Sequence, residues 1–218
     1  MSEGIQWLAG LENWMSSVVF ARGASARELA LRLGAAPDGA TEPITDAQAW
    51  ALDMEEYRPD GDGDGVVRVG EHGGWSFALE YGDSTGGDRL AEVSCGGVEA
   101  IRYVPIQEHP PATVHYARDG VELCAFGLAE ENQRFGTEPD LLLSDLIAGQ
   151  VLGADGTTLL APRGLGGEDF RDTYRRTLGV VERRFGLSLP PRCLQEGRLP
   201  AYAVRGTPDM RIDGGGTR

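Results

Sequence analysis

DGDGDGVVRVGEHGGWSFALEYG, residues 60–82, admits two incompatible readings, and the choice between them decides the fold. Asp60, Asp62, Asp64, Gly65 and Glu71 satisfy the calcium-loop pattern D-x-D-x-D-G-x5-E. The same residues read equally as an acidic loop followed by a β-hairpin. Calcium takes roughly six to eight oxygens, and in the loop form a bidentate Glu arrives on the first turn of an exit helix. Here the exit is His72-Gly73-Gly74-Trp75, which is turn and strand, and Pro59 breaks any entering helix. Glu71 is therefore expected in a hairpin turn facing water. Asp60, Asp62 and Asp64 remain as a surface loop offering a weak cation site. Beyond the turn, Trp75, Phe77, Leu79 and Tyr81 share one strand face, and Ser76, Ala78 and Glu80 the other.

Short apolar runs continue on both sides of the hairpin. Met15–Phe20 reads as a strand, and Ser25 with Glu28 opens a helix by a capping box. A Pro/Gly/Ala loop over 35–43 leads to a helix capped by Thr45 or Asp46 and ended by Pro59. Val66–Val69, Trp75–Tyr81, Leu90–Ser94, Val98–Val104, Thr113–Ala117 and Val121–Phe126 read as six strands, with Asp119-Gly120 the strongest hairpin turn. Pro139 starts a helix that stops at Gly149. A stripe of Phe170, Tyr174, Leu178, Val181 and Phe185 marks the best amphipathic helix of the chain. The expected fold is α+β: an antiparallel β-meander of about six strands packed against two or three helices, with a C-terminal helical appendage. The expected organisation is a core over 1–150, a glycine-rich linker over 151–167, a helical extension over 168–204 and a disordered tail over 205–218.

Three of these pieces carry a resemblance. They are Val18-Val19-Phe20-Ala21-Arg22-Gly23 with Glu28…Arg32-Leu33-Gly34, Val67-Arg68-Val69-Gly70…Gly74-Trp75-Ser76-Phe77-Ala78-Leu79-Glu80, and Arg134-Phe135-Gly136…Pro139-Asp140. Over roughly residues 5–150 the chain resembles an uncharacterised domain family of high-GC bacteria that bears a domain-of-unknown-function label. The shared residues are turn glycines, core aromatics and helix stops, so the resemblance implies a fold and brings no catalytic residue with it.

The formal net charge is −14, and all 20 basic residues are arginine. Such a field repels phosphate backbones and anionic membranes, and suits a cation or a basic protein surface. Neither nucleic acid nor membrane is expected as a partner; no run of apolar residues reaches the ~18 of a membrane span. Three scattered cysteines and a start without a basic, apolar leader point to the cytoplasm. Gly164-Leu165-Gly166-Gly167 precedes a helix as a phosphate loop would, but Glu168 and Asp169 occupy the anion's place.

Catalytic candidates are few. His72, His109 and His115 are the only histidines, and Cys95 on a Ser-Cys-Gly-Gly turn is the thiol with an exposed setting. Cys95 and His115, on neighbouring hairpins, form the candidate nucleophile–base pair. The leading expectation is a non-enzymatic acidic cytoplasmic module that binds a protein partner, of accessory or immunity type, with no cofactor. The alternatives are a small hydrolase or transferase with a pocket near the β-hairpins, and a calcium-responsive protein using Asp60, Asp62 and Asp64. Glu80 gains interest only if helices cover both faces of the sheet.

Overall fold

The computed structural model describes residues 4–11, 16–56, 65–82, 85–105, 111–159 and 170–205. A short 3-10 helix, Gln6–Gly10, precedes strand β1, Ser17–Arg22. Helix α1, Ala26–Arg32, begins where the Ser25 hydroxyl accepts the Glu28 N–H at 3.2 Å. The Glu28 carboxylate turns instead to Arg32, one helical turn on. The segment expected as a loop contains β2, Ala35–Ala40. Helix α2, Asp46–Glu56, opens with a reciprocal capping box: Gln48 N–H donates to Thr45 Oγ1 and Thr45 N–H to Gln48 Oε1.

The hairpin reading of residues 65–82 holds. Strand β3, Gly65–His72, pairs with β4, Trp75–Gly82, through a Gly73-Gly74 turn in which both glycines have positive φ. Gly65–Glu71 is extended strand, and Glu71 Oε1 accepts the Ala26 N–H at 2.9 Å. Glu71 is exposed, as expected, but sits in β3 rather than in the turn and is a partner of α1. Asp60, Asp62 and Asp64 lie outside the described residues, as do His109 and the Gly164–Gly167 loop.

Leu90–Ser94, expected as a strand, is helix α3. Leu90 and Val93 are buried three residues apart, which is one helical turn, and Cys95-Gly96-Gly97 stops the helix. Strands β5, Glu99–Val104, β6, Thr113–Arg118, and β7, Val121–Gly127, follow as expected. Asp119 and Gly120 between β6 and β7 both have positive φ, the backbone of a tight hairpin turn. Helix α4, Leu143–Ala148, starts four residues after Pro139. Helix α5 is Phe170–Phe185 and α6 is Pro191–Gln195. A last strand, β8, Ala201–Val204, lies within the segment expected as purely helical.

The sheet has eight strands where about six were expected, and its order, β2-β8-β3-β4-β1-β5-β6-β7, is not a meander. β1 runs between β4 and β5, and β8 enters between β2 and β3. All pairings are antiparallel, within an α+β fold.

Helices cover both faces. On the first face Phe20, Phe77, Leu79, Tyr81, Ile101 and Phe126 pack with Leu146 of α4, Leu178 and Val181 of α5 and Leu194 of α6. On the second, Val19, Ala21, Val67, Val69, Ala78 and Tyr202 pack with Leu29 and Leu33 of α1 and Leu90 and Val93 of α3. Tyr174, Leu178, Val181 and Phe185 of the α5 stripe are buried in the main core, with the Phe185 ring 4.7 Å from that of Tyr116. No helix among the described residues is long and apolar enough to cross a membrane.

Candidate functional site

The second face of the sheet changes character from β4 to β7. Small apolar side chains give way to Glu80 on β4, Arg102 on β5, His115 on β6 and Glu122 on β7. Arg102 stands opposite Val19 on one side and opposite His115 on the other, so strand alternation puts all three on one face. Glu80 is only 2 % exposed. A carboxylate so placed needs compensation. It receives the Gly86 N–H at 2.7 Å and Arg102 Nε at 3.4 Å. Gly86 has to be glycine: a Cβ there would stand 2.7 Å from Val19 Cγ2 and 2.8 Å from Glu80 Oε1.

His115 sits between two oxygens. Nδ1 is 2.7 Å from Glu122 Oε1 and Nε2 is 3.1 Å from Thr113 Oγ1. An ionised carboxylate only accepts, so the neutral ring carries its proton on Nδ1 and accepts the Thr113 hydroxyl at Nε2. Glu122 pairs in the ladder with Ala117, two residues from His115 on the same face, and a bulge between Tyr116 and Ala117 brings the two side chains together. Beside this row, Gly87, Asp88, Leu90 and Ala91 wall a cleft of about 290 Å³ over Arg102, His115 and Glu122.

Cys95, the other sequence candidate, is exposed at the end of α3, where its thiol donates to the Ala91 carbonyl. The ring of His115 is met by Thr113, Glu122 and Phe135, so these residues rather than Cys95 are its immediate partners. Cys124 is buried, donates to the Pro139 carbonyl, and burial pushes its thiol up to about 11. Among the described residues, no three of His, Cys, Asp and Glu gather as a metal site.

A larger cleft, about 730 Å³, opens at the C-terminal end of α5 against the β6–β7 hairpin. Glu99 binds it together: Arg22 Nε donates to it at 2.6 Å and the Tyr116 hydroxyl at 2.9 Å. Burial works to raise the Glu99 carboxyl, but those hydrogen bonds and the Arg22 charge outweigh it and hold the group below the usual range. Burial, reinforced by the bond to Glu99, pushes the Tyr116 hydroxyl up to about 12. Arg22 also lies over the Trp75 ring, 4.7 Å from its centre.

The outer edge of β7 is closed by the chain that follows it. Phe135 exchanges backbone hydrogen bonds with Ala125, and the Thr137 and Glu138 amides donate to the Glu122 and Leu123 carbonyls. This leaves Phe135 48 % exposed, edge-on to His115, while Val121, also exposed, lies on the opposite face of the sheet. Asp119, Glu130, Glu138 and Asp140 are exposed on the hairpin and strap that carry them. The sequence had placed Phe135 only among residues that define a fold, because an exposed aromatic cannot be told from a core one without its neighbours.

Glu131, at the root of this strap, is fully buried. Its Oε1 accepts the Thr177 hydroxyl at 2.6 Å and the Ala129 N–H at 2.9 Å, while Oε2 has no hydrogen-bond partner among the described residues. Burial raises its pKa above 4.5, against the pull of those hydrogen bonds. A raised folded-state value means that the stabilising contribution is fully present below about 4.3, the value for an unfolded chain. It is lost as pH rises through the folded value. Urea unfolding between pH 4 and 8 should therefore show wild type losing stability relative to Glu131→Gln as pH rises. A difference that does not vary with pH would contradict this assignment.

A family model described as a family of unknown function, DUF6461, matches residues 7–198. No curated protein and no solved structure matches the chain.

Proposed function

We propose, from the premise that the chain belongs to the DUF6461 family of unknown function, that it is a non-enzymatic acidic module that binds a basic protein partner at the β7 edge. The observation that carries this reading is Phe135. This large aromatic residue is nearly half exposed on a backbone strap that four cross-strand hydrogen bonds hold in place. Exposed aromatics on rigid supports are the usual anchors of protein interfaces. Glu130, Glu138 and Asp140 are exposed on the same strap, Asp140 in an ion pair with Arg134, and give it an acidic rim. In a chain of net charge −14 that rim selects a basic surface and steers its approach. An accessory or immunity-type role in the cytoplasm fits such a surface.

The test is co-purification from the native host with wild type and Phe135→Ser side by side. Loss of one exposed ring should leave the fold intact and cost about 2 kcal/mol or more of binding, at least a tenfold loss of recovered partner. The partner recovered by wild type should be basic and should dissociate as salt is raised. Equal recovery by the two proteins would remove Phe135 from the interface. The second reading, a small enzyme with a pocket near the hairpins, is favoured by the His115–Glu122 pair beside its cleft.

A further inference from the structure

The polar row and its cleft carry a proposal of their own. We propose that the cleft between α3 and the second face of the sheet binds a small zwitterion of amino-acid size.

Its dimensions set the scale. About 290 Å³ lies at the lower end of small-molecule sites, too small for a nucleotide and sufficient for an amino acid with a short side chain. Its charges set the class. Arg102 forms part of the floor; its Nη1 would stand 3.1 Å from a Cβ at position 87, so the guanidinium reaches the cleft wall and glycine there leaves it approachable. Asp88 stands on the wall and Glu122 on the floor, beside His115.

Both signs therefore face one small space. With Glu80 opposing the Arg102 charge from below, Asp88 and Glu122 give the cleft an anionic balance, which disfavours a simple anion. A lone amine would answer only the carboxylates, although the Arg102 guanidinium also lines the cleft. A zwitterion answers both: its carboxylate meets Arg102, its ammonium group meets Asp88 and Glu122, and Leu90, Ala91 and Ala117 take a short apolar side chain. His115 positions Glu122 through the 2.7 Å bond. The row also holds polar capacity it does not use. Ser17 lies opposite Glu80 in the β1–β4 ladder, and its buried hydroxyl has no hydrogen-bond partner among the described residues.

The experiment is isothermal titration of the full chain with each of the L-amino acids in turn, up to about 10 mM, a range that reaches millimolar dissociation constants. Methylamine and acetate serve as the two half-ligands. At least one amino acid with a short side chain should bind saturably, about tenfold or more tighter than either half, which is 1.4 kcal/mol. Asp88→Asn should weaken it about tenfold, and Ala91→Phe, from an exposed position on α3, should fill the cleft and abolish it. Both positions are exposed, so the variants should keep the wild-type melting temperature. No saturable binding by any amino acid would overturn the proposal. So would an amine that binds as tightly as the best amino acid, or binding that both cleft variants leave unchanged.

Discussion

Replacing Arg68 with methionine should lower the unfolding free energy by about 3–5 kcal/mol, the range for breaking a buried charge network. Arg68 is fully buried on the first face of the sheet. Its Nη1 donates to the Tyr81 hydroxyl at 2.9 Å and reaches Asp46 Oδ1 and the Leu194 carbonyl at 3.3 Å, while Nη2 donates to the Gly197 carbonyl. Tyr81 in turn donates to Asp46 at 2.6 Å, and burial foremost raises its pKa. One guanidinium thus ties α2, β4 and the α6–β8 connection together. Methionine keeps much of the volume and removes every donor, leaving two carbonyls and a carboxylate short of a partner. In a chain of this size the loss corresponds to roughly 6–20 °C in melting temperature. A shift under about 2 °C would show that the network adds nothing beyond packing.

Ending the chain at Leu199 should do still more. It deletes β8, whose Ala201, Tyr202 and Val204 are buried and whose backbone joins β2 to β3. Lost burial of the two larger side chains alone is about 3–6 kcal/mol, before the newly exposed edge of β3 is counted. Against a typical total of 5–15 kcal/mol, most of the chain should be unfolded or aggregated at 25 °C. The contrasting outcome is a truncated chain that melts with wild-type cooperativity, as a core over 1–150 with a separable appendage would allow. Circular dichroism during heating distinguishes the two.

How far the fold was legible follows from the range of the interactions that decide each element. The β3–β4 hairpin was legible because alternation and a two-glycine turn act within a few residues. The β6–β7 hairpin was legible for the same reason. Strand β2, with Pro37 and Gly39, and β8, four residues long, have no local signal of comparable strength; β8 is held by β3, and β2 by β8. Helix α3 was mistaken for a strand because five residues show neither period clearly until the burial of Leu90 and Val93 is known.

The site was legible in the same uneven way. His115 stood out as one of three histidines, and its Thr113 partner is two residues away on the same face. Glu122 needed the bulge, and Arg102 needed the strand order, neither of which is written locally. Glu80 met the condition attached to it, since helices do cover both faces. Nothing local in Val-Val-Arg-Val marks Arg68 as buried, because the carbonyls that meet it come from about 130 residues further on.

The central claim, that the chain binds a protein through the β7 edge, is tested most directly by photocrosslinking in the native host. A benzophenone side chain placed at position 135 should give one dominant crosslinked species, containing a basic protein. The same group at position 38, exposed on the opposite sheet edge in β2, should give none. Uncrosslinked chain alone at position 135, or the same products at both positions, would contradict the account.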